Sequence, residues 1–357
     1  MTPNGGTAGT SRLQRLLARA GLSLLAVMLT LTLAEAVIRI FNLAPPLNRV
    51  WLFAADPLLP FKTKPNASGL LTAASGEFEY EFSYNSFGFR DIDHEYAKPP
   101  GVFRILGLGD SFTQGCGAPL QETFLYRLEA QLNSRTEVGA PVEIIKAGIG
   151  RYFPEPERML LEHYGLRYEP DLIVVAFVPN DVIDTYRGID AVALEESGYL
   201  CTREAKRLGK VGVYLYLHSH LGRIFITRYV QQHIAAECQP RPAQIFRQDG
   251  YHEQDWLTVE AEYEKMVQLA RGAGAEILFC AIPRRPPWQD YHRYPGRRLA
   301  RWAARNNVEF VDLFPAMQAA ASGEQLYYSQ DFHCTPAGYR VIADTLFSVL
   351  IARQLVP

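Results

Sequence analysis

Five short, nearly continuous apolar runs limit the possible folds of this chain more than any other feature of its sequence. They occupy residues 103–109, 142–148, 171–177, 276–282 and 308–314. Segments of helical periodicity lie between them, at residues 121–133, 155–167, 256–272 and 295–306. Apolar runs without polar alternation are typical of parallel strands that helices cover on both faces. The pattern predicts an α/β fold with a doubly wound, flavodoxin-like parallel sheet of five strands.

The amino terminus predicts a segment that enters a membrane. Residues 21–43 are apolar apart from Glu35 and Arg39, and the residues before them carry three arginines and no acid. A spanning helix needs about 20 apolar residues, and a basic flank stays on the cytoplasmic side. An uncleaved anchor would therefore place the rest of the chain outside the cytoplasm. A cleavable signal sequence would do the same, and "AEA" at 34–36 resembles a cleavage site.

Composition divides the chain into four parts. We expect a basic cytoplasmic tail over 1–20, an anchor or signal sequence over 21–43, a linker with an amino-terminal β extension over 44–100, and the α/β domain over 101–357. An insertion at about 184–254 interrupts that domain, and its residues 211–225 predict one amphipathic helix. The formal net charge of −2 gives no support for nucleic-acid binding.

Five cysteines are too few for a disulfide framework, although an exported domain permits single bonds. Cys201 and Cys238 flank the amphipathic segment and are candidates for one disulfide. Cys116 follows the first predicted strand, and Cys334 precedes the last predicted helix. Both positions lie at the same rim of the predicted sheet, so a second disulfide between them is conceivable. Cys280 lies within a predicted strand, where we expect it to pack as an apolar side chain.

The segment "GDSFT" at 109–113 follows the first predicted strand and carries a serine at position 111. It does not match a dinucleotide-binding loop, a phosphate-binding loop or the G-x-S-x-G turn, because the required glycine or lysine is missing in each case. Two interpretations of Ser111 remain open. It either caps the following helix or serves as a nucleophile.

Polar groups follow other predicted strands or precede the last helix. Asn180 follows the third strand, Gly148 and Gly150 follow the second, and His333 with Asp331 precedes the final helix, for which Thr335 and Pro336 predict the first turn. In a doubly wound sheet these positions meet at one rim. A hydroxyl, an N–H group, an amide donor and a histidine with an acid are what acyl transfer by a serine requires.

Four segments in order resemble the SGNH (GDSL-type) hydrolase superfamily over about residues 85–357: "GDSFT", "AGIGRY", "PND" and "DFH". The upstream segments "NSFGFRD" and "KPPGVFRILGLGDSFTQG" resemble its bacterial, often membrane-anchored branch. The resemblance implies the SGNH-hydrolase fold and the chemistry of a serine esterase. No cofactor and no metal ion are expected in that chemistry.

The same resemblance assigns roles to individual residues. Ser111 would be the nucleophile, His333 the general base and Asp331 the acid that orients the histidine. The oxyanion hole would consist of the Ser111 N–H group, Gly150 and the Asn180 side chain. Asp110 would tether the loop rather than react.

This chain departs from the common family pattern at two positions. Asp331 precedes His333 by two residues, where many relatives have three, and the shorter spacing resembles some bacterial and polysaccharide-acetylating relatives. Many relatives have "AGxxGY" in the second segment, where Arg151 occupies the place of the second glycine. The oxyanion donor is then the N–H group of either Gly150 or Arg151. The Arg151 side chain either binds an anionic substrate group or lies in solvent.

The sequence thus predicts an extracytoplasmic serine esterase, periplasmic or on the outer face of the inner membrane. Its partners would be an acylated small molecule or glycan and, through the amino-terminal helix, the membrane. It would hydrolyse or transfer an O-acyl group, with O-acetyl the specific candidate, on a glycan or envelope component. A polysaccharide O-acetyltransferase and a non-catalytic, anchored glycan-binding or assembly protein remain as alternatives.

Overall fold

The computed structural model describes residues 8–44, 53–73, 75–135, 139–194, 200–202, 209–229 and 253–357. The chain forms two compact units. The helical unit consists of residues 1–47 and 204–238, and the sheet unit consists of residues 48–203 and 239–357. The predicted linker falls largely on residues 45–52, and Cys238 lies in the insertion, so both are outside the described residues.

The described residues contain eleven strands and ten α-helices. The strands are β1 Phe53–Ala54, β2 Lys62–Thr63, β3 Ser68–Thr72, β4 Glu79–Ser83, β5 Phe103–Gly109, β6 Val142–Gly148, β7 Leu172–Phe177, β8 Val192–Leu194, β9 Leu200–Thr202, β10 Glu276–Ala281 and β11 Glu309–Asp312. The helices are α1 Ala8–Ile40, α2 Phe124–Asn133, α3 Pro154–His163, α4 Asn180–Arg187, α5 Gly209–His218, α6 His220–Tyr229, α7 Glu253–Gly272, α8 Tyr294–Asn306, α9 Phe314–Ala320 and α10 Pro336–Ala352.

The central sheet of the sheet unit has five strands, all parallel, in the order β6-β5-β7-β10-β11. Counted along the chain, this order is that of the flavodoxin-like doubly wound fold, which confirms the predicted fold class. Successive residues of one strand enter opposite apolar layers because strand side chains alternate between faces. Leu106 packs in the layer that includes Trp256 of α7, and Ile105 packs in the layer that includes Leu128 of α2.

An antiparallel hairpin of β3 and β4 precedes the central sheet in the chain. Apolar and acidic side chains alternate in β4, because Tyr80 and Phe82 are buried while Glu79 and Glu81 are exposed. Tyr80 and Phe82 belong to a small apolar cluster that also contains Cys116. The hairpin is thereby packed against the loop that follows β5.

The first helix, α1, is 33 residues long and belongs to the helical unit. Its residues 12–40 are long and apolar enough to cross a membrane, by length and composition, and none of the most apolar part is buried. Glu35 and Arg39 pair on its surface, with 2.7 Å between Glu35 Oε1 and Arg39 Nε. This agrees with their expected spacing on one helix face.

The prediction of a single amphipathic helix over residues 211–225 is wrong. Two helices, α5 and α6, occupy this segment, and Ser219 between them interrupts the helical conformation. The physical reason lies in α1, because Glu35 accepts hydrogen bonds from the Ser219 hydroxyl and from the first N–H groups of α6. A tertiary contact therefore replaces the intrahelical bonds that a continuous helix would make.

The conceivable bond between Cys116 and Cys334 is not formed. Both are free, buried thiols, as is Cys280. Cys116 accepts a hydrogen bond from the Tyr80 hydroxyl at 3.6 Å, so it is packed against the β3–β4 hairpin. Burial raises the pKa of the Cys116 thiol to about 12, which keeps it protonated and unreactive.

Candidate active site

Ser111 lies in the loop that follows β5 and does not cap a helix. The next α-helix begins at Phe124, thirteen residues further on. Gly109 ends the strand, and a Cβ atom there would lie 2.1 Å from the Thr113 hydroxyl, so the loop can fold back only over a glycine. Asp110 accepts a hydrogen bond from the Phe112 N–H group at 2.8 Å, which closes the turn around Ser111.

His333 connects Ser111 to Asp331. Its Nε2 lies 2.8 Å from Ser111 Oγ, and its Nδ1 lies 2.6 Å from Asp331 Oδ1. The predicted start of the last helix is confirmed, since Thr335 accepts a hydrogen bond from the Gly338 N–H group at 3.3 Å. The loop before α10 thus brings three predicted residues into one chain of hydrogen bonds.

Asp331 is held as an anion in this loop. Burial raises its pKa, but the hydrogen bond and charge of His333 and the N–H groups of His333 and Phe332 bring that pKa below its ordinary value. A carboxylate at this position fixes the proton of the histidine on Nδ1 and leaves Nε2 free to accept a proton from Ser111. The geometry is that of a base oriented by an acid.

Glu77 is a site-supporting residue that the sequence patterns did not single out. Its carboxylate accepts hydrogen bonds from the N–H groups of Ser329 at 2.7 Å, Gln330 at 3.0 and 3.1 Å, and Asp331 at 2.8 Å. These bonds lower the pKa of Glu77, which is otherwise exposed. The amino-terminal β extension therefore holds the loop that carries Asp331, and no local signal in its alternating pattern indicates this.

Asn180 is the first residue of α4, directly after the loop that follows β7. Its Nδ2 donates to Asp110 Oδ2 at 3.1 Å and to Asp184 Oδ2 at 3.4 Å. The amide group is thereby tied to the residue next to Ser111. Two carboxylates fix its orientation at the same rim of the sheet.

Three carboxyl groups near this rim are buried and form no ion pair with a lysine, arginine or histidine in the part of the chain that the structure describes. Burial raises the pKa of Asp110 to about 6, against the hydrogen bonds of Phe112 and Asn180. Burial and the charge of Asp110 raise the pKa of Glu157 well above its ordinary value, and burial and the Glu157 charge do the same for Asp181. Both side-chain oxygens of Glu157 and Oδ1 of Asp181 have no hydrogen-bond partner among the described residues.

The second glycine segment forms a tight turn from Ile149 to Tyr152, with the Tyr152 N–H group 3.1 Å from the Ile149 carbonyl oxygen. Arg151 has a φ of 75°, the left-handed conformation that this turn position demands and that glycine adopts without strain. Gly150 is buried and Arg151 is exposed. Burial raises the pKa of Asp184 and the charge of Arg151 opposes that rise, so the guanidinium lies within electrostatic reach of Asp184.

A strand-end serine, a histidine oriented by an acid, and a parallel sheet of this strand order define an SGNH-type serine hydrolase. The chain belongs to the GDSL-like lipase/acylhydrolase family, whose sequence profile matches residues 108–341. It is therefore an esterase-type hydrolase. Among the described residues, no group of three or more histidine, cysteine, aspartate or glutamate side chains is arranged to hold a metal ion.

Several solved structures are similar to this chain at low identity. The crystal structure of TesA is 15% identical, with a TM-score of 0.42 and 69% of this chain and 97% of that chain covered. A member of the lipolytic protein G-D-S-L family from Veillonella parvula is 14% identical, with a TM-score of 0.41 and coverages of 70% and 98%. An acetylxylan esterase from Geobacillus stearothermophilus is 13% identical, with a TM-score of 0.42 and coverages of 69% and 93%. No curated protein matches the chain.

Proposed function

We propose that this protein is a membrane-anchored esterase that acts outside the cytoplasm and removes or transfers an O-acyl group on a glycan or another envelope component. The observation that carries the proposal is the chain of contacts from Ser111 Oγ to His333 at 2.8 Å and from His333 to Asp331 at 2.6 Å. O-acetyl is the acyl group that we favour. The two-residue spacing of Asp331 and His333 resembles that of polysaccharide-acetylating relatives.

In the first half of the proposed reaction, Ser111 Oγ attacks the acyl carbonyl carbon while His333 Nε2 takes the hydroxyl proton. The carbonyl electrons move to oxygen, and a tetrahedral oxyanion forms. Asp331 accepts the Nδ1–H bond and stabilises the imidazolium. When the tetrahedral intermediate collapses, the bond to the alcohol oxygen breaks and His333 returns its proton to that oxygen, leaving the acyl group on Ser111.

In the second half, His333 removes a proton from water or from a sugar hydroxyl, and the resulting oxygen nucleophile attacks the acyl-enzyme. When this second tetrahedral intermediate collapses, the bond from the acyl carbon to Ser111 Oγ breaks and His333 returns the proton to that oxygen. Water yields free carboxylic acid and a sugar hydroxyl yields a transferred ester. The catalytic residues are the same in both cases, so the acceptor decides between an esterase and an O-acetyltransferase.

The oxyanion hole in this proposal consists of the Ser111 N–H group, the Gly150 N–H group and Asn180 Nδ2. The bond of Asn180 Nδ2 to Asp110 at 3.1 Å supports its part, because it uses one of the two amide hydrogens and holds the group in place in advance. The second hydrogen reaches the oxyanion only when the longer contact to Asp184, at 3.4 Å, is given up. The Arg151 N–H group is the alternative to that of Gly150. Its left-handed backbone is the conformation expected where relatives carry a glycine.

The extracytoplasmic location rests on α1 and on the residues before its apolar part. Arg12, Arg15 and Arg19 precede the apolar stretch and no acid does, which favours a cytoplasmic amino terminus. The measurement is the amino terminus of the mature protein together with its partition between membrane and soluble fractions. A mature chain that begins near Val37 and stays soluble would contradict the anchor.

The enzymatic proposal is tested with the full-length protein, p-nitrophenyl acetate and an O-acetylated glycan. We expect Ser111→Ala to lower kcat by a factor of about 10⁴ to 10⁶, because nucleophile and base act as a unit. Ser348→Ala, an exposed serine of α10, is the matched control and should retain full activity. Equal inactivity of wild type and Ser111→Ala, with no fluorophosphonate label on Ser111, would refute the triad. Acetate found on an acceptor sugar instead of in solution would identify a transferase.

A further inference from the structure

The carboxylate of Glu35, on α1, caps the amino terminus of α6 within the helical unit. It accepts hydrogen bonds from Ser219 Oγ at 2.9 Å, the His220 N–H group at 2.9 Å and the Leu221 N–H group at 2.8 Å. The first N–H groups of a helix have no partner inside the helix, so a carboxylate there satisfies both their hydrogen bonds and the helix dipole.

Arg39 binds the other side of the same break. Its Nη2 donates to the His218 carbonyl oxygen, the last residue of α5, at 2.8 Å, while its Nε pairs with Glu35. The anion thus contacts the start of one helix and the cation contacts the end of the other, as the helix dipoles require. One ion pair of α1 therefore binds both sides of the junction between α5 and α6. We call α5 and α6 together the α5–α6 hairpin.

The α5–α6 hairpin exposes large apolar side chains. Tyr214, Phe225 and Tyr229 are exposed by 62%, 65% and 50%, and Val211 and Leu215 are exposed as well. The apolar side chains of α1 are exposed in the same way. Aromatic side chains with a polar edge are typical of the layer between lipid headgroups and hydrocarbon.

The position of the Glu35–Arg39 ion pair along α1 sets the depth of the α5–α6 hairpin in the bilayer. The uninterrupted apolar part of α1 runs from Gly21 to Ala34, and Glu35 and Arg39 follow it directly. If that part lies in hydrocarbon, the ion pair lies where the hydrocarbon ends, because a charged pair at greater depth is costly. The hairpin that this pair holds is then at the same depth, with its aromatic side chains among the headgroups.

We propose that the α5–α6 hairpin is a second membrane-contacting element, which lies in the bilayer interface and is fixed to the outer end of α1 by Glu35 and Arg39. The occupant of its exposed apolar face is lipid. This proposal depends on the membrane anchor proposed above. It also implies that α1 is retained, because cleavage after Ala36 would remove Glu35 and leave the first N–H groups of α6 without their cap.

The test places an environment-sensitive fluorophore on Phe225→Cys in the full-length protein in phospholipid vesicles, with the unsubstituted protein as the labelling background. We expect blue-shifted emission that is quenched by lipids carrying a shallow nitroxide and not by aqueous iodide. Ser322→Cys, on the exposed surface of the sheet unit, should report water. Emission from Phe225→Cys equal to that of Ser322→Cys would refute the hairpin contact. A shielded probe without lipid quenching would indicate a protein occupant and would refute it equally.

A second variant tests the ion pair itself. Glu35→Ala in the Phe225→Cys background should reduce lipid quenching at least severalfold while the protein stays in the vesicles and keeps its esterase activity. Leu33→Ala, an exposed residue of the same helix, should leave quenching unchanged. Unchanged quenching in Glu35→Ala would refute the role of the pair. A wild-type protein that does not partition into vesicles would instead refute the anchor, so the two failures are distinguishable.

Discussion

The sheet unit buries carboxyl groups in two clusters, and only one of them contains cations. The paired cluster consists of Asp91 and Glu143 with the cationic partners Lys146, His94 and Arg104, and the acid cluster lies beside Ser111. Asp91 lies 3.1 Å from Lys146 and 2.9 Å from His94, and Glu143 lies 2.6 Å from both His94 and Arg104. The acid cluster consists of Asp110, Glu157 and Asp181. None of these three forms an ion pair with a lysine, arginine or histidine in the part of the chain that the structure describes.

The pKa values of the two clusters differ accordingly. Burial raises the pKa of Asp91, but the hydrogen bond of His94 and the charge of Lys146 bring it below its ordinary value. In the acid cluster, burial outweighs the hydrogen bonds that oppose it, so the pKa of Asp110 rises to about 6 and those of Glu157 and Asp181 rise well above their ordinary values. The paired cluster therefore favours folding at neutral pH. The acid cluster opposes folding, and it does so next to the proposed nucleophile, as is common at functional sites.

The comparison predicts first that a substitution at the site lowers activity without lowering stability. We expect His333→Ala to reduce kcat/KM for p-nitrophenyl acetate by a factor of about 10³ or more, because Ser111 loses its general base. The melting temperature should change little, since Asp331 is only half-buried and keeps the backbone N–H groups of residues 332 and 333 when it loses the imidazole. His163→Ala, the last residue of α3, is the control for a histidine away from the site. A large loss of stability in His333→Ala would show that the site residues also hold the fold.

The converse prediction concerns the paired cluster. Lys146→Met should lower the free energy of unfolding by about 3–5 kcal/mol, because the buried Asp91 carboxylate loses its lysine and keeps only His94. Glu129 loses its ion pair with the lysine as well. Lys265→Met is the matched control. Lys265 also pairs with a carboxylate, at 2.6 Å from Glu262, but its side chain is 54% exposed, so its loss should cost less than about 1 kcal/mol. Denaturant titration of both variants measures the difference, and equal losses would contradict the assigned role of burial.

Sequence patterns predict the sheet and the positions of the site residues for a physical reason. Strands covered on both faces are mostly apolar, and β5 and β6 have the bounds that their nearly continuous apolar runs predict. The carboxyl ends of parallel strands meet at one rim, and Ser111 and Asn180 follow two of them. The loop before α10 carries His333 to Ser111, which is the placement that the doubly wound sheet and the family resemblance predict.

Contacts between distant segments are not visible in such patterns. Glu157 has the sequence context of a charged residue on a helix surface, and only the packing of α3 buries it. Ser219 interrupts an apolar helical pattern because Glu35, 184 residues earlier, supplies its partner. Glu77 alternates like any strand residue, yet it holds the loop of Asp331. Each of these depends on the tertiary structure and leaves no local signal.

A smaller effect is expected from the acid cluster, where Asp110→Asn should show a pH-dependent gain in stability. The folded-state pKa of Asp110 is raised from 3.8 to about 6, so the folded protein is destabilised as the pH rises through this window. The rise corresponds to about 3 kcal/mol, which the amide removes. The unfolding free energy of the variant relative to wild type should therefore increase by up to that amount between pH 4 and pH 7. A difference that is the same at both pH values would show that Asp110 does not titrate there.

The smallest expected effect separates the backbone role of Arg151 from that of its side chain. A non-glycine residue at a φ of 75° is strained, so Arg151→Gly should change stability by no more than about 1 kcal/mol, since the relief of strain is partly offset by the greater freedom of glycine in the unfolded chain. Because the turn and its N–H groups are kept, kcat/KM for phenyl acetate should stay within about twofold of wild type, as the neutral ester makes no use of the guanidinium.

If the guanidinium binds an anionic substrate group, the same variant should lower kcat/KM for para-acetoxybenzoate about fivefold, the effect of one exposed charge pair. Glu169→Gly is the matched control, because Glu169 also has a left-handed backbone, with a φ of 52°, and is exposed. It should affect neither ester. An equal loss on both esters in Arg151→Gly would show that the substitution disturbs the turn instead of removing a contact to the substrate anion, and no loss on either would leave the Arg151 side chain in solvent.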